Sequence, residues 1–474
     1  MHIEIIIPLI IYLIFVFFLS LYAYFKRNSI NQFSNYFIGN RTMGGFLLAM
    51  TLVTTYISAS SFIGGPGAAY KFGLGWVLLA MIQVPTILLA LGILGKKFAI
   101  LARKYQAITL NDILYSHYKS KMLVWFAGIT IIVAFIGAMT AQFVGGAYLL
   151  ENAAGIPYQT GLLIFGIGTV LYTAFGGFHA SILNDAFQGL VMLIGAIFLL
   201  IVIIHAGGGL EQTITTLKNI DPALLTSTGP NNIMDFPFMA SFWVLVCFGT
   251  IGLPHTAVRC MAYKDSKALH RGIIIGTIVI TVIMFTMHLA GALGPAILPQ
   301  LTNPDHVVPK LIIKVMPPFA AGVFLAAPLA AIMSTINAQL LQVSSIMIKD
   351  LFLSSMPKYK FSDKNLMRLS VLITLSFGIL LIATAWNPPN MIIWLNLFAF
   401  GGLEAVFLWP LVLGLYWQKA NATGALTSMI TGAIFYVVLT QFSIKIFNFH
   451  AIVPTLIVGL IAFLIGNRFN KSKE

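Results

Sequence analysis

The sequence predicts an all-α polytopic membrane protein: one transmembrane domain over residues 1–474, thirteen transmembrane helices, N-terminus outside and C-terminus inside, with a five-plus-five inverted repeat at its centre. Three observations point there. Thirteen apolar stretches have spanning length, the basic residues between them fall almost entirely on one side, and two of the stretches break in matching ways. Composition supports the first: 59% of residues are hydrophobic and 8% charged, with a mean hydropathy of +0.94. A soluble domain carries about 25% charged residues. Cys247 and Cys260 lie in or beside one apolar stretch, so they suggest neither a disulfide framework nor a metal site.

In chain order the apolar windows run 5–25, 44–69, 73–95, 122–149, 158–177, 183–206, 239–259, 272–297, 317–348, 367–386, 390–417, 423–442 and 450–468. The first is expected to persist as a helix rather than act as a cleaved signal, because Lys26 and Arg27 follow its apolar run. With the N-terminus outside, one face of the membrane receives Lys26, Arg27 and Arg41, the six basic residues between Lys96 and Lys121, and the four between Arg259 and Arg271. It also receives the five from Lys349 to Arg368, then Lys419, Arg468, Lys471 and Lys473. The opposite face keeps only Lys71, Lys218, Lys310, Lys314 and Lys445, so the 27 basic residues divide 22 to 5. That asymmetry obeys the positive-inside rule and explains the +14 net charge without nucleic acid. The basic, amphipathic segment Lys96–Lys121 is expected to lie along the inner surface, and the polar stretch Gly207–Phe238 to carry a short helix outside.

The second window (TLVTTYISASSFIGGPGAAY, Thr51–Tyr70) is rich in small hydroxyl residues and is expected to break at Gly64-Gly65-Pro66-Gly67. The seventh carries Gly249, Gly252 and Pro254 near its middle. Within a bilayer an unpaired backbone group costs several kcal/mol, so a true break lines a cavity or holds an ion. Simple kinking is the plainer explanation for either break alone. Together they occupy corresponding places five helices apart, and an odd number of crossings inverts the orientation, the pattern of secondary transporters. Helices 2–6 (44–206) form repeat one and helices 7–11 (239–417) repeat two; helix 1 (5–25) and helices 12–13 (423–468) are peripheral.

In the ninth window, Ser334 and Thr335 stand side by side within AAPLAAIMSTINAQLLQ. Hydroxyls and freed carbonyls suit a small hard cation such as Na⁺, and a neutral cage of them strands no charge in lipid. The alternative is that each hydroxyl bonds back to its own helix.

TYISASSFIGGPGAAY, YTAFGGFHASILNDAFQG (Tyr172–Gly189) and AAIMSTINAQLL resemble the signatures of the sodium:solute symporter family, over nearly the whole chain. The resemblance implies a LeuT-like fold and a sodium site formed by the carbonyls of Thr54, Ile57 and Ala331 with the hydroxyls of Ser334 and Thr335. Asp185 matches the family's GG…D…Q motif; it is read as a carboxylate on the sodium exit path, with a structural ion pair as the alternative. In the family's proline carriers an aspartate implicated in sodium binding stands where this chain has Tyr56, which favours an all-neutral cage here. The segments GLGWVLLAMIQ, TAVRCMAYKDSKALHRGIIIGT and LNLFAFGGLEAVFLWPLVLGLYW are similar to the family's pantothenate-carrying branch.

These readings imply Na⁺-coupled symport of pantothenate, or a similar small carboxylate, into a bacterial cytoplasm across the inner membrane. The alternative cargo is another monocarboxylate or an amino acid such as proline. No cofactor beyond the coupling ion and no obligate protein partner is expected. Candidate substrate contacts are Tyr56, Ser60, Ser61, Gln83, Thr250, His255 and Glu404, with half-helix N-termini attracting the carboxylate. Glu404 lies mid-span and is expected to be neutral, since an ionised acid would repel an anionic cargo. Arg259, at the inner end of its helix, is read as a gate or a snorkelling residue. Trp394 and Phe398 are assigned to core packing. A membrane-embedded hydrolase would need a nucleophile–base pair or a metal cluster, which the scattered ionisable residues do not form. A channel would need a charged ring or filter loop, and neither is present.

Overall fold

A computed structural model describes residues 3–25, 37, 41–355, 361–389 and 391–469, without the side chains of 23–25, 176–180 and 363. The basic residues Lys26, Arg27, Lys358, Lys360, Lys471 and Lys473, counted above, lie outside it. Among the described residues, eleven helices are long and apolar enough to cross a membrane, and two further helix pairs, bent at short breaks, bring the number to thirteen if each pair is one span.

Numbered with each bent pair as one element, they are α1 (Ile3–Phe25), α2 (Gly45–Tyr56 and Ser60–Phe72), α3 (Leu74–Tyr105), α4 (Lys121–Ala154), α5 (Tyr158–Phe175) and α6 (Ser181–Ala206). There follow α7 (Phe236–Gly252 and Pro254–Cys260), α8 (Ser266–Ala296), α9 (Pro318–Leu353), α10 (Lys364–Thr384), α11 (Ile392–Tyr416), α12 (Ala422–Gln441) and α13 (Ile452–Phe469). Each expected window finds its helix. One boundary moves: α3 continues to Tyr105, ten residues past its expected end, because Lys97 reaches the Leu415 carbonyl (2.7 Å) and Phe98, Ala99 and Ala102 are buried. Only the short helix Leu110–Tyr118 remains of the expected surface segment, started by a Thr109–Asp112 capping box. The outer stretch carries its short helix at Leu210–Ile220, after Gly208 and Gly209 at φ 81° and 97°.

The break in α2 is not where the glycines and proline place it. The first half ends at Tyr56, Ile57 is extended (φ −73°, ψ 123°), and the chain bends by 68°. Gly64-Gly65-Pro66-Gly67 is helical, because Pro66 sits in the first turn of an α-helical segment, where its missing N–H costs nothing. Its glycines serve close approach instead. A Cβ on Gly65 would stand 2.3 Å from His288 Nε2, and one on Gly291 of α8 would stand 2.3 Å from the Pro66 carbonyl oxygen. The outer half of α2 thus lies directly on α8, as small residues allow in membranes. The break in α7 falls where expected: a 3₁₀ turn over Gly249–Gly252, an extended Leu253, then Pro254 starting the next half, with a 50° bend.

α1 lies against α6 and α9, with Gln188 donating to the Tyr12 hydroxyl (3.1 Å) and Asn184 to that of Ser20 (2.8 Å). α12 and α13 pair with each other, Asn421 bonding to Asn467. Trp394 and Phe398 are 40% and 41% exposed, each with a ring neighbour on one side (Trp76 and Tyr436), so the expectation of core packing is corrected.

Gly291→Val should destabilise the chain by about 1–3 kcal/mol, because the neighbour it strikes is backbone and has no rotamer to yield. A lowered unfolding midpoint in detergent, with Gly92→Ala (open space around its Cβ) as control, is the measurement.

Candidate functional site

The break in α2 frees backbone groups, and three of its N–H groups find partners close by. The Ala59 N–H donates to Gln142 Oε1 of α4 (2.7 Å), the Ser60 N–H to the Ser58 hydroxyl (3.2 Å), and the Ser61 N–H to the Ser58 carbonyl (3.0 Å). The carbonyls of Thr54 and Ile57 face α9. Ser334 donates to the Thr54 carbonyl at 2.9 Å and lies 3.0 Å from that of Ala331. Thr335 Oγ1 is 3.0 Å from the Ile57 and Ala331 carbonyls and 3.5 Å from that of Thr54. All five oxygens expected from the sequence therefore converge, on residues fully buried. The hydroxyls do bond back to Ala331 as well as across to α2, so both anticipated fates coexist. The oxygen set is hard, neutral and of the right number for Na⁺, and the residues fit that ion. Among the described residues no group of three or more His, Cys, Asp and Glu side chains assembles as a metal site.

One turn inward on α2, Thr51 donates to Asp185 Oδ2 (2.5 Å). The same oxygen meets Arg259 Nη2 at 3.3 Å, while Arg259 also reaches Ser181 (3.0 Å) and Thr55 (3.3 Å). Asp185 and Arg259 are 0% and 2% exposed, so Arg259 does not snorkel. It closes the inner end between α2, α6 and α7. A buried pair of this kind is held by its hydrogen bonds as much as by Coulomb attraction, and removing one partner strands the other.

On the other side of the α2 break lies a cavity with an empty volume of about 600 Å³. Tyr56, Ser60, Ser61, Gln83, Thr250 and Glu404 line it together. Tyr56 lies 2.9 Å from Gln83 Oε1 and 3.0 Å from the Val246 carbonyl, which Thr86 also approaches at 3.2 Å. That carbonyl belongs to a π-helical turn, Val244–Phe248, where the wider winding leaves main-chain oxygens to side chains. Both carboxyl oxygens of Glu404 and the Ser60 hydroxyl are buried without a hydrogen-bond partner. Gly249 makes room for the Glu404 carboxyl: a Cβ there would fall 2.2 Å from Oε2.

His255 is the exception. It lies between the rings of Phe135 and Phe400 and opens on a separate inner chamber beside Arg259. The cavity also recruits Trp76, His288, Asn396 and Phe400, which sequence reasoning missed. His288 and Asn396 carried a readable signal, since both are polar side chains in mid-span. The His288 Nδ1–H donates to the Met284 carbonyl (2.8 Å), which leaves Nε2 as an acceptor.

The short segment Pro304–His306 between α8 and α9 docks against the second half of α2 and the start of α11. Asp305, 0% exposed, accepts the Ile392 N–H at the start of α11 (2.9 Å) and presses against Gly67. Burial pushes its carboxyl up to about 7, against the opposing pull of that N–H. Because the folded value lies above the usual one, this group's stabilising contribution is complete below pH about 4 and is lost as pH rises through about 7. The unfolding midpoint of the protein should therefore fall across that window by more than that of Asp305→Asn, whose profile should be flatter.

Residues 36–432 match the sodium:solute symporter family. The chain is 65% identical over 472 residues to the sodium/pantothenate symporter of Escherichia coli, covering 100% of this chain and 98% of that one. It is 60% identical to the sodium/pantothenate symporter of Haemophilus influenzae, with the same coverage. Among solved structures, a Na⁺-coupled sialic acid symporter in a substrate-bound, outward-open state superposes with a TM-score of 0.81 at 21% identity, covering 98% of each chain. That likeness fixes a LeuT-like, all-helical polytopic fold.

Proposed function

The chain belongs to the sodium:solute symporter family, and from that membership we propose that it is a Na⁺-coupled symporter of pantothenate, not an enzyme. Full-length identity of 65% and 60% to two sodium/pantothenate symporters supports the cargo. The observation that carries the mechanism is the convergence of Thr54, Ile57, Ala331, Ser334 and Thr335 at the α2 break, next to a cavity lined by the expected substrate contacts.

It is a multi-pass membrane protein, and the 22-to-5 charge split supports thirteen spans, N-out and C-in, in a bacterial inner membrane. α2–α6 and α7–α11 then form the two inverted repeats, α1, α12 and α13 flanking them, and the broken α2 and α7 hold corresponding places. Na⁺ at the cage links α2 to α9 and biases the transporter toward the substrate-competent state. Pantothenate occupies the cavity between Tyr56, Ser60, Ser61, Gln83, Thr250 and Glu404. Its carboxylate is drawn to a half-helix N-terminus, and a neutral Glu404 donates to its hydroxyl or amide oxygen. Asp185, one turn inward of the cage, receives Na⁺ on its way to the cytoplasm.

In reconstituted vesicles, pantothenate uptake should require an inward Na⁺ gradient and resist excess proline, acetate and hexoses; inhibition by proline would favour the alternative cargo. Ser334→Ala with Thr335→Ala should raise the Na⁺ concentration for half-maximal uptake at least tenfold, the equivalent of ~1.4 kcal/mol. Unaltered Na⁺ dependence would refute the cage. Glu404→Gln, which keeps a donor and removes the titration, should preserve pantothenate uptake while flattening its decline at alkaline pH. Glu404→Leu should raise the KM for pantothenate about tenfold.

A further inference from the structure

An aromatic contact links the wall of the inner chamber to that of the central cavity. Phe400 lines the cavity, its ring centroid lies 5.4 Å from that of His255, and His255 lines the chamber. The chamber is bordered by Arg259, Gln342 and Ser345. Neither ring nitrogen of His255 has a hydrogen-bond partner, nor does either terminal atom of Gln342, although the two residues are only 2% and 5% exposed. Burying a polar group without a partner is costly, and four such atoms around one space are suited to a polar guest. Among the described residues the cation on its wall is Arg259, whose contact with Asp185 (3.3 Å) is long for a charge-assisted bond, normally about 2.7–2.9 Å.

We propose that this chamber is a release-side binding station for the substrate's carboxylate, in which Arg259 exchanges Asp185 for that carboxylate while Gln342 and His255 bond its polar groups. The station rests on the reading of the chain as a pantothenate symporter with Arg259 on the cytoplasmic side. The exchange keeps buried charge balanced. The substrate anion neutralises Arg259, and Asp185, still held by Thr51, is handed to the cation leaving the cage one turn away. Substrate and ion are thereby released as a matched pair.

The test uses the full-length transporter in vesicles, comparing the KM for pantothenate in Na⁺-driven influx with that in efflux from loaded vesicles. Gln342→Glu places a like charge in the chamber and should raise the efflux KM at least fivefold, with the influx KM within twofold of wild type. Gln342→Leu should shift efflux in the same direction by less. Measurable influx by each variant certifies its fold; should neither variant assemble, His255→Gln is compared in the same way. Equal shifts on both sides, or an unshifted efflux KM, would overturn the station. Wild-type vesicles that take up no pantothenate would instead overturn the function on which it rests.

Discussion

Two hydroxyls on α9 answer two carbonyls on α2, and the rest of the site depends on that exchange. A helix cannot stop inside a bilayer unless its loose main-chain groups are met, and here Ser334 and Thr335 meet the carbonyls of Thr54 and Ile57 while Gln142 takes an N–H. The same groups that make the break tolerable are those a cation would use. Stability and ion binding are thus not separate demands on these residues. A hydroxyl can donate to a carbonyl or turn a lone pair toward Na⁺, so the cage needs no charged side chain in either condition.

Around this centre the chain separates its charges by depth. Asp185 and Arg259 neutralise each other at the inner end; Glu404, in the cavity wall, has no hydrogen-bond partner among the described residues; Asp305 is carried by the segment Pro304–His306. A lone carboxyl in an apolar wall is costly when ionised. The two broken helices also touch: Tyr56 of α2 reaches the Val246 carbonyl in the π-helical turn of α7. A displacement at one break is felt at the other.

Much of this was legible in the sequence, for reasons specific to each element. Spanning helices announce themselves because lipid demands long apolar runs, and Ser334-Thr335 stood out because two hydroxyl oxygens side by side suit a hard cation. The α2 break was misplaced because Gly and Pro are the loudest breaker signals, while Ile57 and Ser58 give none. What decides there is tertiary: Gln142, Ser334 and Thr335 arrive from distant stretches of chain. His255 stands apart from the other candidate contacts for a related reason. It follows the α7 break by two residues, but the 50° bend carries it inward, away from the cavity. Asn396 and His288 were overlooked although mid-span polar residues are an available signal.

The glycine contacts between the outer half of α2 and α8 have a mechanical consequence. With Gly65 against the His288 side chain and Gly291 against the Pro66 main chain, α2 offers no rotatable side chain of its own at these points to act as a bearing. They form one lever. Its pivot is then the nearest flexible joint, Ile57-Ser58, and the oxygens of the cage sit at that pivot rather than at the lever's tip. An ion there travels little as the arm swings, yet it loads the joint directly, so a ligand of atomic size can govern an arm several turns long.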